Sequence, residues 1–495
     1  MKFHILVFGC QMNYADSARI RAVLTNCWFF YTENSKDADI IIFDTCSIKQ
    51  KAEDKITGKF KTIKPNQKIR ITGCMIQHNM RSWKLKNNTT SKGEKSKIGN
   101  FMWSIQGKNP KIIWYTSKEI NKIDTRNQPT DTIIWINNAF NPIFYNLTQK
   151  RKNIELMRRI DDTGFLPLML KKLGYTISYD KEIINEYEKI IPEDINTSMN
   201  THKKTAYIPI STWCNQFCAY CIVPYARGLE KHFPVQQIVD ETKKHLENGA
   251  EEIVILGQIV NKHPEFITIL QEILKLKGLK RLRYTSPYPT YYSKELLSLH
   301  EKEEKLCPHI HIPLQSGSNN VLKRMFRGYT NEQAKEFIDN IKNLKREISI
   351  TTDIIVGFPD ETEDDFQETL TLIRYGNFDM VYIGIYSSRP GTLAAKNYPD
   401  NISPAVKRDR RDRLNKLLID ISRTNNEKEI WEKKEVLINK ISKWVIEGYT
   451  DNMKQIIIKL EGWSLKLKAK IKIGEFISAK IIKAISFKLY GEIIE

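Results

Sequence analysis

Between Thr205 and Gly391, apolar β-rich runs return about every 30 residues, at 206–211, 252–256, 281–285, 309–314, 348–357 and 380–387. Helix-like stretches at 235–248, 266–276, 293–302, 331–346 and 363–375 separate most of them. Strands alternating with helices imply βαβ units on a parallel sheet. Six such units fall short of the eight that close a barrel, so this stretch is expected to form a partial (β/α)6 barrel. Chemistry in parallel barrels sits at the C-terminal ends of the strands. The first of those ends runs directly into Trp213-Cys-Asn-Gln-Phe-Cys-Ala-Tyr-Cys221.

Cys214, Cys218 and Cys221 form a C-x3-C-x2-C set. Iron takes thiolates as its usual protein ligands, and three on one short loop can hold three corners of a [4Fe-4S] cube. The fourth iron is then open to a small molecule. The competing reading is three-quarters of a zinc site with His232 as fourth ligand. Tyr220 between the last two cysteines and the strand-end setting favour the cluster.

A second trio is spread out. Cys10, Cys46 and Cys74 each follow an expected strand, near 2–8, 40–44 and 69–72, with an expected helix at 16–24. Strand ends of one parallel sheet share an edge, so these thiols are expected to converge there. The alternative is burial as inert structural thiols, which is the expectation for Cys27 and Cys307. Gly or Thr beside each of the other three, and the repeated strand-end position, favour ligation.

The sequence has 78 Lys plus Arg against 58 Asp plus Glu, a net charge of +20, which attracts polyanions such as nucleic acid. A basic helix is expected from 404 to 434, containing Lys407-Arg-Asp-Arg-Arg-Asp-Arg413. Residues 435–495 alternate polar and apolar, as a small β-barrel with outward lysines would. Lysine on exposed strands also discourages aggregation; RNA contact is the favoured reading. No run reaches the roughly 18 to 20 apolar residues of a membrane span, and a cytoplasmic protein is expected. Residues 80–204 are the least legible: strands are expected near 111–115 and 131–136, helices near 154–159 and 182–191.

These features together resemble the radical S-adenosylmethionine (SAM) methylthiotransferases. Gly9-Cys-Gln-Met-Asn13 and Thr45-Cys-Ser-Ile48 are similar to the branch acting on dimethylallyl-adenosine in tRNA, rather than on threonylcarbamoyl-adenosine or a ribosomal protein. Leu256-Gly-Gln258, His311-Ile-Pro-Leu-Gln-Ser-Gly-Ser318, Asp353-Ile-Ile-Val-Gly-Phe-Pro-Asp-Glu-Thr362 and Ser388-Arg-Pro-Gly-Thr392 also match. Glu447-Gly-Tyr-Thr-Asp-Asn452 and Leu489-Tyr-Gly-Glu492 resemble the RNA-binding TRAM domain.

The resemblance implies an α/β chain of four parts. These are an N-terminal methylthiotransferase domain (1–79), an atypical connection (80–204), a radical SAM core (205–429) and a TRAM domain (430–495). It implies two [4Fe-4S] clusters, one on Cys214, Cys218 and Cys221 and one on Cys10, Cys46 and Cys74. SAM is expected beside Tyr220, Gln258, Gln315, Ser316, Asp353 and Arg389, with no catalytic side chain beyond the cluster ligands. The implied partners are a tRNA anticodon loop and a reductant such as flavodoxin or ferredoxin, acting on a monomer. The chain departs from the family at Asp44, where Asn is usual, and at His232 and Phe233. A non-catalytic RNA-binding protein with vestigial clusters is the contrasting class; two intact thiol trios argue against it.

Overall fold

The computed structural model describes residues 1–8, 11–45, 59, 62–73, 112–115, 133–136, 154–157, 166, 170, 204–224, 230–442, 444–460 and 471–494. The chain divides into two compact units, Met1–Ser198 with Cys221–Leu229, and Met199–Tyr220 with Glu230–Glu495.

In the first unit, strands β1 (Lys2–Val7), β2 (Phe30–Tyr31), β3 (Ile40–Thr45), β4 (Lys68–Gly73), β5 (Ile112–Tyr115), β6 (Ile133–Ile136) and β7 (Ile154–Met157) form one sheet. Its order is β2-β1-β3-β4-β7-β6-β5, and every pairing is parallel. A parallel sheet is covered on both faces, which is why all six residues of β3 are buried and its sequence reads as a continuous apolar run. Helix α1 (Gln11–Asn26) starts earlier than the expected 16–24. The expected helix at 154–159 is instead β7, lodged between β4 and β6. A four-residue apolar run carries no period that separates helix from strand. The sheet begun by residues 1–79 takes further strands from 112–157, two of which, β5 and β6, fall at the strands expected near 111–115 and 131–136. The expected helix at 182–191 lies outside the described residues.

The second unit opens with β8 (Thr205–Pro209), β9 (Ser211–Thr212), β10 (Lys231–His232), α2 (Val235–Glu247), β11 (Glu252–Leu256), α3 (Phe266–Leu274), β12 (Arg281–Tyr284) and α4 (Lys294–Lys302). Then come β13 (His309–His311), α5 (Asn319–Arg324), α6 (Asn331–Lys342), β14 (Ser349–Val356), α7 (Glu363–Gly376), β15 (Met380–Ile385), α8 (Leu393–Asn397) and α9 (Pro404–Glu427). The six expected strands form two parallel three-stranded sheets, β8-β11-β12 and β13-β14-β15. Backbone bonds from Leu282 N–H to Lys305 O (2.7 Å) and from Cys307 N–H to Leu282 O (3.0 Å) carry pairing across the gap. Alternate side chains of the first sheet, among them Ile208, Ile255 and Leu282, pack with Ile238, Ile269 and Leu296 from the helices. Helices α6 and α7 begin at capping boxes built on Thr330 and Thr362, which satisfy N–H groups the helices leave free.

Beyond α9, strands β16 (Lys433–Ile441), β17 (Val445–Tyr449), β18 (Gln455–Lys459), β19 (Phe476–Ile485) and β20 (Lys488–Ile493) close the expected small barrel in the order β16-β17-β18-β20-β19. Val436, Ile438, Ile456, Ile458 and Ile481 fill it, while Lys433, Lys440, Lys459 and Lys483 are exposed. The expected helix to 434 stops at Glu427, and β16 starts at Lys433, within the stretch expected to be helical.

Helix α9 fixes the loop after β14. Buried Arg410 donates from Nη1 to Glu361 Oε2 (2.7 Å), which also accepts from the Gly357 N–H (2.7 Å). Removing one partner of such a buried pair strands the other charge. Arg410→Ala is expected to cost about 3–5 kcal/mol in denaturant unfolding. A loss below about 1 kcal/mol would show the pair to be dispensable.

Candidate active site

The three-cysteine loop leaves the C-terminal end of the first barrel strand, and its backbone is held under tension. Trp213 (φ 68°) and Phe217 (φ 52°) occupy the left-handed region, unfavourable for bulky residues unless their surroundings enforce it. That enforcement is present. Ala219 donates its N–H to Met325 O (2.9 Å), and its carbonyl accepts from the Ala394 N–H (2.7 Å). Ala219 also packs with Val321, Met325, Phe358 and Tyr386 in a small apolar core on which Tyr220 rests.

Cys214 and Cys218 are buried and Cys221 is partly exposed. Cys214 Sγ accepts from the Gln216 N–H (3.4 Å), and Cys218 Sγ accepts from Arg327 Nη1 (3.3 Å). Arg327 is itself buried, lying over the rings of Tyr288 (4.2 Å) and Tyr329 (5.3 Å) and donating to Pro313 O (2.7 Å). Burial pushes the Cys214 thiol up to about 11, and Glu230 and Cys218 add to the rise while Gln216 and Lys262 oppose it. Lys262 is paired with Glu230 (2.6 Å). A buried thiol gives up its proton only to a partner that compensates the thiolate, as a metal does. N–H donors on both sulfurs, one of them cationic, suit thiolates on an iron–sulfur cluster.

Among the described residues, no group of three or more His, Cys, Asp or Glu side chains is gathered tightly enough to hold a metal ion. A cube takes each thiolate on a different iron and so needs the sulfurs farther apart than one zinc does. The His232 ring packs edge-on to His263 (4.9 Å) and lies 4.0 Å from Glu230 Oε1, and burial lowers its pKa. Phe233, the neighbouring departure, fills the core of the first barrel sheet.

Cys10, Cys46 and Cys74 lie outside the described residues. The strands each follows in sequence, β1, β3 and β4, are adjacent, with Val7 opposite Asp44, Asp44 opposite Thr72, and Thr45 opposite Gly73. The chain thus leaves three neighbouring strands at one edge. Asp44, the residue usually Asn in the resembling family, is fully buried and accepts from Asn13 Nδ2 (3.0 Å) and Ser17 Oγ (2.8 Å). Asn13 stands in the first turn of α1, where the helix dipole favours a negative charge. The departure is accommodated by its partners.

The expected SAM contacts separate. Gln315 (φ 73°) bridges to β14, its N–H to Asp353 O (2.7 Å) and its carbonyl from the Ile355 N–H (2.9 Å). Asp353 carries a part-exposed carboxylate, Gln258 is part-exposed in the turn after β11, and Arg389 is half-buried before α8. Ser316 has protein partners of its own. It is completely buried, its Oγ 3.3 Å from Thr369 Oγ1 and accepting from the Ser318 N–H (3.1 Å), so it shapes the turn. Arg327 and the tyrosines beside it, Tyr288 and Tyr329, were missed, and His311 was quoted in a matching motif without a role. Arg327 meets Cys218 across 109 residues, a separation no local motif announces.

Two family models match the chain: the radical SAM superfamily over residues 208–373, and an uncharacterized protein family, UPF0004, over residues 2–91. The chain is also similar to curated proteins named tRNA-2-methylthio-N(6)-dimethylallyladenosine synthase. That of Caldicellulosiruptor saccharolyticus is 31% identical over 99% of this chain and 92% of its own. That of a Thermoanaerobacter species is 32% identical over 100% and 93%, and that of Clostridium botulinum 33% over 99% and 96%.

Gly317 sits where the turn after β13 touches α7. A Cβ there would meet Thr369 Cα at 2.6 Å and Glu368 O at 2.8 Å, both backbone atoms. Gly317→Ala is expected to lower unfolding stability by about 1–3 kcal/mol, the usual cost of overpacking. A neutral result would mean the turn has room to shift.

Proposed function

The chain belongs to the family of tRNA-2-methylthio-N(6)-dimethylallyladenosine synthases, and we propose that it carries out that family's reaction. It replaces the hydrogen on carbon 2 of a dimethylallylated adenosine, beside the anticodon, with a methylthio group. The observation that carries this reading is the buried, N–H-bonded cysteine loop at the barrel's strand ends, within a chain matched along its whole length to those relatives.

Cys214, Cys218 and Cys221 would hold one [4Fe-4S] cluster, which would supply an electron for the reductive cleavage of SAM, and Cys10, Cys46 and Cys74 would hold a second, which would supply the sulfur of the methylthio group. Carbon 2 of adenine offers no acidic proton, which is why a general base would not serve. The chain's own residues hold and shield. Arg327 donates to the Cys218 sulfur and keeps a positive charge beside it. Gln216 does the same, uncharged, for Cys214. Ala219, Tyr220 and the apolar core beneath them keep the loop dry and fixed.

The target base lies in a single-stranded loop, where bases splay out for recognition. Exposed lysines on the C-terminal barrel, with a net charge of +20, suit contact with tRNA phosphates. No helix among the described residues is long and apolar enough to cross a membrane. We place the enzyme in the cytoplasm as a monomer, reduced by a flavodoxin or ferredoxin. Action on threonylcarbamoyl-adenosine or a ribosomal protein is not favoured, because the relatives reported above are all named for the dimethylallyl-adenosine reaction.

Mass spectrometry of tRNA nucleosides from cells with and without the gene tests the reading. Loss of the gene should remove the 2-methylthio nucleoside and leave dimethylallyl-adenosine in its place; an unchanged nucleoside profile would refute it. Arg327→Met removes a cation and a donor from Cys218. The cluster's reduction potential should become more negative, read by EPR-monitored titration. An unchanged potential would separate Arg327 from the cluster.

A further inference from the structure

We propose that His311 is a positioning residue: with Thr351 and His309 it holds the Asp353 carboxylate as acceptor for a hydroxyl or amino donor of a bound nucleoside. The inference rests on the functional reading above, which brings two nucleosides to this barrel, SAM and the target adenosine.

The four residues share one face of neighbouring strands. On β13 and β14, His311 pairs with Thr351 in register, and side chains two apart lie on the same side. His309 Nε2 and His311 Nδ1 each lie 2.9 Å from Thr351 Oγ1, and His311 Nε2 lies 3.0 Å from Asp353 Oδ2. The Tyr292 hydroxyl donates to His311 O (3.1 Å), and the exposed Tyr382 ring stands 6.0 Å from the imidazole.

Donor counting gives this chain its direction. A carboxylate only accepts, so His311 Nε2 carries a hydrogen and donates it. Thr351 has one hydroxyl proton and can donate to only one of its two imidazole neighbours. In the neutral arrangement His309 Nε2–H donates to Thr351, Thr351 donates to His311 Nδ1, and His311 donates to Asp353. Burial, reinforced by Arg283 and the neighbouring histidines, holds the His309 pKa well below its ordinary value, which keeps that ring neutral. Every nitrogen of the His311 ring is then used, and the ring is fixed.

Asp353 keeps acceptor capacity. Among the described residues its carboxylate is bonded only through Oδ2, to His311, and its side chain is 40% exposed. Ile355, two residues on and therefore on the same face about 7 Å away, packs against the core that carries Ala219 and Tyr220 of the cysteine loop. Asp353 thus presents a free acceptor on the face of the sheet that meets the cluster loop. A carboxylate in such a position suits ribose hydroxyls or an adenine amino group, as acidic residues at other nucleotide sites do.

The test is a double-mutant cycle on anaerobically reconstituted full-length protein: wild type, Asp353→Ala, His311→Ala, the double variant, and His311→Gln, whose amide can restore a donor. SAM affinity is read by equilibrium dialysis without tRNA, and tRNA affinity by filter binding. Iron content and visible absorbance accompany both. Asp353→Ala should weaken one ligand by about 10-fold or more, the range of a charge-assisted hydrogen bond. His311→Ala should weaken the same ligand about 3- to 10-fold, yet add less than about 2-fold in the Asp353→Ala background, and His311→Gln should recover most of the loss. Loss confined to SAM assigns the donor to the cofactor; loss confined to tRNA assigns it to the substrate. Independent, multiplying effects of the two alanines would overturn the proposal, as would unchanged affinity for both ligands or loss of iron in the single variants. Wild-type protein that binds SAM but never modifies tRNA would defeat the functional reading alone, since the SAM cycle needs no turnover.

Discussion

Burying a thiol at the end of a parallel strand sets the terms for the rest of this molecule. A buried sulfur keeps its proton, and Cys214 is pushed that way by desolvation before anything else acts on it. Making it a thiolate requires compensation from a cationic centre and from N–H groups directed at the sulfur. The Gln216 N–H is directed at the Cys214 sulfur, and the Arg327 guanidinium at that of neighbouring Cys218. Arg327 in turn requires the rings of Tyr288 and Tyr329 and the carbonyl of Pro313. The Cys218 sulfur is thus tied through Arg327 to Tyr288, Tyr329 and Pro313, side chains and backbone from separate turns of the barrel.

The two units use the same device. In each, neighbouring parallel strands end in register, so residues far apart in sequence leave the sheet at one edge. In the first unit the buried Asp44, bonded to Asn13 and Ser17, ties the end of β3 to the start of α1, the two segments that flank Cys10 and Cys46 in sequence. In the second, β14 carries Asp353 and Ile355 on one face, and the strand's backbone also supports the left-handed Gln315.

Much of this was legible in the sequence because it is periodic or local. The barrel strands and helices follow from the recurrence of apolar runs, and Ser293, Thr330 and Thr362 mark helix starts through their own side chains. The strands at 112–115 and 133–136 could be read, but β7 could not: Ile154-Glu-Leu-Met157 is too short to show a period, and its place between β4 and β6 is decided by the sheet. Among site residues, the cysteines announce themselves by spacing. Ser316 sat in a matching motif and was expected beside SAM; what the motif does not announce is its hydrogen bonding with Thr369 and the Ser318 N–H, which the fold sets. Arg327 was invisible, and His311 stood in a matching motif without a role, because their partners are brought near only by the fold.

Iron counting after anaerobic reconstitution tests the central claim, that two three-thiol sites each hold their own cluster. The wild-type chain should take up about eight irons, and either triple variant, at Cys214, Cys218 and Cys221 or at Cys10, Cys46 and Cys74, about four. About four irons in the wild-type chain, or loss of all iron from either variant, would contradict two independent sites.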